Sequence, residues 1–135
     1  MTGNLPNKPI RVLLADDHKI VRDALRELLE LEPDIEVVMD VADGESAVEK
    51  TLELAPDIVF LDIRMRDMDG IDATLQIKKA RPDIHVICVS MHHEKKFREA
   101  AFGAGASGYM AKSEAATELI KAIRTVMSGN KYDSN

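Results

Sequence analysis

Cysteine is nearly absent from this chain. Cys88 is the single one among 135 residues, so no internal disulfide and no cysteine-built metal centre is available. It lies in the apolar run Val86-Ile87-Cys88-Val89, where a free thiol behaves as a small buried hydrophobe. No apolar run approaches the roughly 20 residues needed to cross a bilayer. Positive charge is also short, with 18 basic against 24 acidic residues and a net charge of −6, which argues against general affinity for a nucleic-acid backbone. No basic, apolar leader opens the chain, so the cytoplasm is the expected compartment. There is no length for a second domain either, because 135 residues make one ordinary domain with a core that needs no staples. A composition of 45% apolar and 31% charged residues is that of a globular protein.

What is present is a repeating alternation. Met1 to Pro9 carries two prolines and no periodicity and reads as a loose tail. Ile10 to Ala15 is a first strand ending on Asp16-Asp17. Ile20, Val21, Ala24, Leu25, Leu28 and Leu29 then fall on one helical face. Ile35 to Met39 is a second strand. Gly44 to Leu54 is a second helix, with Ala47, Val48, Leu52 and Leu54 expected inward, and Pro56 closes it. The run Ile58-Val59-Phe60-Leu61 followed at once by Asp62 suits a strand buried on both faces whose last residue emerges at the sheet edge. After the turn-rich Met65 to Gly70, a helix uses Ile71, Leu75, Ile77 and Ala80. Ile84 to Val89 is a fourth strand ending at Ser90, and a helix of thin apolar face spans Glu94 to Phe102. Tyr109 to Ala111 is a fifth strand ending at Lys112, and the last helix, Glu114 to Met127, buries Leu119, Ile120, Ile123 and Val126 or Met127.

Five strands alternating with five helices predict a doubly wound α/β fold with a five-stranded parallel sheet. Right-handed crossovers put helices on both faces and all strand carboxyl ends along one edge, where open α/β sheets bind ligands. Asp16, Asp17, Asp62, Ser90 and Lys112 therefore converge; Asp40, at the second strand's end, reads as a loop acid. Carboxylates crowded in one crevice repel unless a cation sits among them, and oxygen ligands favour magnesium. A strand-end carboxylate beside a metal, a compact ammonium and a hydroxyl is suited to phosphoryl transfer, which depends on positioning and charge neutralisation. The carboxylate itself can be the nucleophile.

The set Asp16-Asp17, Asp62, Ser90 and Lys112, with Met68-Asp69-Gly70 after the acid and Gly108-Tyr109 before the lysine, resembles that of two-component response-regulator receiver domains, from about Ile10 to Met127. The resemblance implies a flavodoxin-like, CheY-like strand order of 2-1-3-4-5 and a receiver over residues 10–128. It implies that Asp62 accepts a phosphoryl group from a phosphohistidine on a sensor histidine kinase. Magnesium would be bound by Asp17, Asp62 and the main-chain carbonyl of Arg64, with Asp16 acting through water. Lys112 would contact the phosphoryl oxygen, and Ser90 and Tyr109 would form a switch pair in which Tyr109 turns inward after phosphorylation. No turnover of an external substrate is implied. The stretch Gly103-Ala104-Gly105-Ala106-Ser107-Gly108-Tyr109 and the ending Ala122 to Met127 resemble the NarL/FixJ (LuxR-like) subfamily. In that subfamily a linker like Ser128 to Tyr132 leads to a helix-turn-helix domain that binds DNA, so residues 129–135 are expected to begin such a linker. Phosphorylation would then favour a homodimer and change transcription. A natural stand-alone receiver is the other reading.

Some positions depart from the family's pattern. Arg66 replaces a usual proline, Ser113 replaces a common proline after the lysine, and Met91 stands where a small residue is frequent and narrows access to Asp62. The Lys112–Ser113 peptide, commonly cis in the resembled family, is expected to be cis here despite a cost of about 3–4 kcal/mol. His92-His93 is read as a solvated loop pair, and His18 and His85 as isolated. Two other classes share parts of the pattern. A flavodoxin-like nucleotide binder needs a phosphate-cradling loop where Asp16-Asp17 present negative charge instead. A haloacid-dehalogenase-like phosphatase needs a second Asp where Arg64 stands. A pseudo-receiver would lack one of the acids or the lysine, and none is lacking.

Overall fold

Strand-forming residues occur in this chain in blocks of four to seven, and the computed structural model pairs five of these blocks, with a two-residue sixth strand, into one parallel sheet. It describes residues 8–65, 67–91 and 95–133. Arg66, His92-His93, Glu94, residues 1–7 of the expected tail and residues 134–135 of the expected linker lie outside the described residues. The elements run β1 (Ile10–Ala15), α1 (Lys19–Glu30), β2 (Ile35–Val41), α2 (Gly44–Leu54), β3 (Ile58–Asp62), α3 (Gly70–Ala80), β4 (His85–Ser90), α4 (Lys95–Gly103), β5 (Gly108–Ala111), α5 (Ala115–Met127) and β6 (Tyr132–Asp133). The sheet order is β2-β1-β3-β4-β5-β6. This is the expected doubly wound, flavodoxin-like sheet with a sixth strand. Tyr132–Asp133, read from sequence as linker, adds to the edge in parallel, with Gly108 opposite Tyr132 and Tyr109 opposite Asp133.

The inner strands are apolar on both sides because each side meets helices. Val12, Leu14, Ile58 and Phe60 pack with Leu25 and Leu29 of α1 and with Leu119, Ile123 and Val126 of α5. The alternate residues Leu13, Ala15, Val59 and Leu61 pack with Ala47 of α2 and with Ala73 and Ile77 of α3. Burial on this scale contributes about 25 cal/mol per Å² of apolar surface removed from water.

Three expected inward residues are turned out: Ile20 is 84% exposed, Leu52 42% and Leu75 50%. Ala24 and Ala80 are exposed as well, and Met127 is the exposed member of the Val126/Met127 alternative. The apolar stripe of α1 is wider than the sheet-facing strip, so its margin faces solvent. Thr51 and Thr74 take the inward positions instead, the latter by donating its hydroxyl to the Gly70 carbonyl at 2.8 Å. Among the described residues no helix is long and apolar enough to cross a membrane.

Pairing register places the polar strand ends. Asp62 stands opposite Val89 on β4, and Ser90 opposite Ala111 on β5. Gly70 closes the loop between β3 and α3, with its N–H donating to Ile63 O at 2.7 Å. A side chain there would meet the Asp62 carbonyl oxygen at 2.4 Å, so only glycine admits this approach.

Candidate functional site

Each acid of the site comes from a strand end held by its own backbone or by a neighbouring turn. Asp62, at the end of β3, is 3% exposed; Asp16, just after β1, is 4% exposed. The Arg64 N–H donates to Asp62 Oδ1 at 3.1 Å, and the His18 N–H donates to Asp16 Oδ1 at 2.8 Å. Lys112 Nζ reaches both acids, donating to Asp62 Oδ2 at 2.9 Å and approaching Asp16 Oδ2 at 3.0 Å. One ammonium is therefore shared between two buried carboxylates. Burial pushes the Asp62 carboxyl above its ordinary value, and the Asp16 charge adds to that; the hydrogen bond from Lys112 opposes both without offsetting them. Burial by itself would lower the Lys112 ammonium, but its hydrogen bonds to Asp62 and Asp16 hold it above the usual lysine range. Lys112 remains charged.

Asp17 completes the crevice. Its Oδ1 is sealed from solvent and completes no hydrogen bond among the described residues, although His18 Nδ1 lies 3.0 Å away. Ligand atoms of Asp16, Asp17, His18 and Asp62 all lie within 4.8 Å of one another. The three acids singled out in the sequence are brought together as expected. His18, isolated by its sequence pattern, shares their crevice as well; its position directly after Asp16-Asp17 is the signal that could have found it.

Ser90 and Tyr109 are 2% and 1% exposed. The Tyr109 phenol is pushed up by burial, against a hydrogen bond with Ser90. Tyr109 is thus turned inward in this structure, packed among Ala101, Ala106 and the partly buried Phe97; it is not an edge aromatic. The expectation that it lies outward before phosphorylation does not describe this conformation, because the space behind Ser90 is already filled by the ring.

The Lys112–Ser113 peptide is also not as expected, since no described peptide bond is cis. A serine amide has none of proline's tolerance for the cis form. The 3₁₀ turn Lys112–Glu114 bends the chain instead, and Lys112 still reaches Asp62.

Further residues fix the site from outside. Arg22 Nη1 donates to the Asp16 carbonyl at 2.7 Å, and its Nε donates to Asp40 Oδ1 at 3.1 Å. Arg26 adds donors to Asp40 Oδ2 at 2.9 and 2.7 Å. Burial would raise the Asp40 carboxyl, yet the two arginines bring it below its ordinary value. Asp40, read as a loop acid, is the post to which the β1–α1 turn is tied. Asp67 ties the β3–α3 loop to α2, accepting from the Gly44 and Glu45 N–H groups at 2.8 and 3.0 Å. Met91, 66% exposed, forms with His18, Val21, Lys112 and Ser113 a hollow of about 370 Å³. Cys88 plays no part: burial pushes its thiol up to about 12.

A lysine-bridged carboxylate crevice at the carboxyl edge of a 2-1-3-4-5 parallel sheet is the arrangement of a CheY-like signalling domain. The chain belongs to the response regulator receiver domain family, which it matches over residues 12–124. It is 34% identical over 132 residues to the transcriptional regulatory protein DegU of Brevibacillus brevis, covering 98% of this chain and 56% of that protein. It is 38% identical over 125 residues to the response regulator GacA of Pseudomonas viridiflava, covering 93% of this chain and 58% of that one. Among solved structures, a LuxR-family two-component response regulator from Aurantimonas sp. SI85-9A1 superposes with a TM-score of 0.87 at 37% identity, covering 93% of this chain and 89% of that one. The likeness is therefore to receivers of the NarL/LuxR kind. The chain spans little more than half the length of the curated relatives it matches.

Proposed function

We propose that this receiver domain is phosphorylated on Asp62 by a sensor histidine kinase and that the aspartyl phosphate switches the surface formed by α4, β5 and α5. The observation that carries the reading is the Asp62 carboxylate, buried and bound by Lys112, beside a second buried acid and an Asp17 oxygen without a hydrogen bond. That orphaned oxygen and the crowding of three acids fit a divalent cation. Asp17, Asp62 and the Arg64 carbonyl would hold magnesium, with Asp16 acting through water. When bound, the ion supplies charge neutralisation among the carboxylates and the incoming phosphoryl oxygens.

In the reaction an Asp62 oxygen attacks phosphorus, the P–N bond of the kinase's phosphohistidine breaks, and the electron pair leaves with the imidazole nitrogen. Lys112, freed from part of its contact with Asp62, pairs with a phosphoryl oxygen. The new group brings nearly two negative charges next to Ser90. Ser90 then reorients toward it, which alters its hydrogen bond with Tyr109 and loosens α4, the helix with the thinnest apolar face. The domain is a regulatory acceptor that turns over no external substrate. By analogy with the transcriptional regulators it resembles, the output is homodimerisation that pairs helix-turn-helix domains on DNA, in the cytoplasm.

The test is incubation with acetyl phosphate and magnesium, followed by mass-spectrometric mapping of the adduct in wild type and Asp62→Asn. A magnesium-dependent adduct on Asp62 is expected; an adduct of equal yield in the variant refutes the assignment. For the switch, hydrogen exchange with and without beryllofluoride is compared in wild type and Ser90→Ala. Exchange over residues 95–103 is expected to change in the former and not in the latter.

A further inference from the structure

After α5 the chain turns back on itself. Gly129, at φ +95°, takes a conformation that favours glycine, and Tyr132–Asp133 then pair along the outer side of β5. Each neighbouring element holds this segment. The Asn130 N–H donates to Thr125 O of α5 at 3.2 Å, and the Tyr132 N–H donates to Ser107 O, just before β5, at 2.9 Å. The Tyr132 ring is buried, and its hydroxyl donates to Glu118 Oε1 of α5. Two residues of α4, one turn apart, complete the hold. Arg98 Nε donates to Asp133 Oδ2 at 2.7 Å, and Lys131 Nζ lies 5.5 Å from the centroid of the Phe102 ring. Residues 130–133 therefore lie across α5, β5 and α4, the surface on which the aspartyl phosphate is proposed to act.

These holds are easily undone. The Arg98 and Asp133 side chains are 29% and 30% exposed, and an ion pair so placed is weak, as is the contact of an exposed lysine with a ring. Only two residue pairs join the segment to β5. Burial, the bond to Glu118 and the charge of Glu114 all push the Tyr132 phenol up, and Glu114 Oε1 is sealed from solvent without a hydrogen bond among the described residues. A buried acceptor without a donor is a cost carried by the docked state. The α4 contacts are also linked to the switch residues. Tyr109 hydrogen-bonds Ser90, packs with Phe97 and Ala101 of α4 and stands opposite Asp133 in the sheet. Arg98 follows Phe97 directly, and its charge and that of Asp133 both reach the Tyr109 hydroxyl.

We propose that residues 130–133 form a strap that fastens α4 to β5 and α5 in the unphosphorylated domain, and that the aspartyl phosphate releases it. The inference rests on the reading that Asp62 is phosphorylated and adds what the switch lets go. When Ser90 turns to the phosphoryl group, Tyr109 loses its partner and shifts against Phe97 and Ala101. The turn of α4 that carries Arg98 and Phe102 moves with them, and the strap loses its α4 contacts. Coupling of this kind is reciprocal, so whatever loosens the strap also favours the phosphorylated conformation. Arg98 and Asp133 lie outside the acidic crevice, and an effect of either on phosphoryl-mimic binding reports that coupling.

The experiment follows hydrogen exchange of the Tyr132 amide with and without beryllofluoride and magnesium, and measures beryllofluoride affinity by fluorine NMR, in wild type, Arg98→Ala and Asp133→Asn. Both replaced side chains are partly exposed, and circular dichroism verifies that the variants are folded. In wild type, beryllofluoride should accelerate exchange at Tyr132 by roughly tenfold or more. In the variants exchange should already be fast, and beryllofluoride should bind about fivefold more tightly. If beryllofluoride binds and alters exchange over residues 95–103 but leaves Tyr132 unchanged, or if both variants bind it with wild-type affinity, the strap is not coupled and the inference is overturned while the phosphoacceptor reading stands. If beryllofluoride does not bind wild type, or binds equally well to Asp62→Asn, that reading falls and the inference falls with it.

Discussion

Replacing Gly70 with alanine strikes the point where the chain passes closest to the phosphoacceptor. A Cβ at this position would lie 2.4 Å from Asp62 O, 2.7 Å from Ile63 Cα and 3.0 Å from Asp62 C. All three are backbone atoms, so no side chain can swing aside. Ordinary contact needs about 3.4 Å or more, and β3 and α3 must separate by roughly 1 Å. Overpacking of this kind costs about 1–3 kcal/mol. The Gly70 N–H bond to Ile63 O, 2.7 Å long, is stretched in the same movement and adds about 1 kcal/mol. The total of about 2–4 kcal/mol is a large part of a domain stability of about 5–15 kcal/mol and lowers Tm by roughly 10 °C. Because two of these three atoms belong to Asp62, phosphorylation from acetyl phosphate should slow even at temperatures where the variant is folded. Gly103→Ala is the matched control: nothing lies within 4 Å of its added Cβ, and it sits in the last turn of α4. It should be neutral or stabilising by up to about 1 kcal/mol and leave phosphorylation unchanged. Urea unfolding of both variants decides the matter. A Gly70→Ala protein within about 0.5 kcal/mol of wild type refutes the close-approach reasoning.

Three other perturbations follow from the same geometry. The folded Asp62 carboxyl sits above its unfolded value, so folding takes up a proton; metal-free stability from this group is full below the ordinary carboxylate range and is lost as pH rises through the raised value. The Tm of Asp62→Asn relative to wild type should accordingly climb with pH over that window in scanning calorimetry without divalent ions, and a pH-independent difference contradicts it. Arg22→Ala leaves the Asp16 carbonyl and Asp40 short of a charged donor and should cost about 2 kcal/mol in urea unfolding. Arg22→Lys should not restore it, because an ammonium cannot span both acceptors. Tyr132→Ala removes a ring that is 7% exposed and packed on the α5 side of the core. A cost of about 2–4 kcal/mol at unchanged urea m-value is expected, and a loss under about 0.5 kcal/mol would mean that β6 is not docked.

The backbone of this domain could be read from sequence because its strands are buried on both sides. A run such as Ile58 to Leu61, too short for a core helix and closed at once by a carboxylate, is suited to little but an inner strand of a parallel sheet. Convergence of Asp16, Asp62, Ser90 and Lys112 then followed from topology alone. Features that depend on rotation about a helix axis or on one side chain's direction were harder. Ile20, Leu52 and Leu75 satisfy helical periodicity but lie on the margins of their stripes, where a few tens of degrees separate core from solvent. His18 has no periodic partner; only its backbone link to Asp16 shows which way the ring points. The turn at Lys112 was misjudged because family habit suggested a cis peptide, whereas a serine lets a 3₁₀ turn do the same bending. β6 escaped notice because two residues have no period, and its pairing is decided by the outer side of β5.

That short strand has a consequence for the protein at high concentration. The outer side of β5 would otherwise present a row of unpaired N–H and C=O groups, a template on which another chain could add. Tyr132 and Asp133 cover its first half, opposite Gly108 and Tyr109, and the Asp133 carboxylate is clasped by Arg98 Nε of α4 at 2.7 Å. The edge strand on this side is two residues long and carries an ion pair, a poor seed for strand-by-strand association. Removing two residues far from the phosphoacceptor would thus be felt first in the flask, as turbidity.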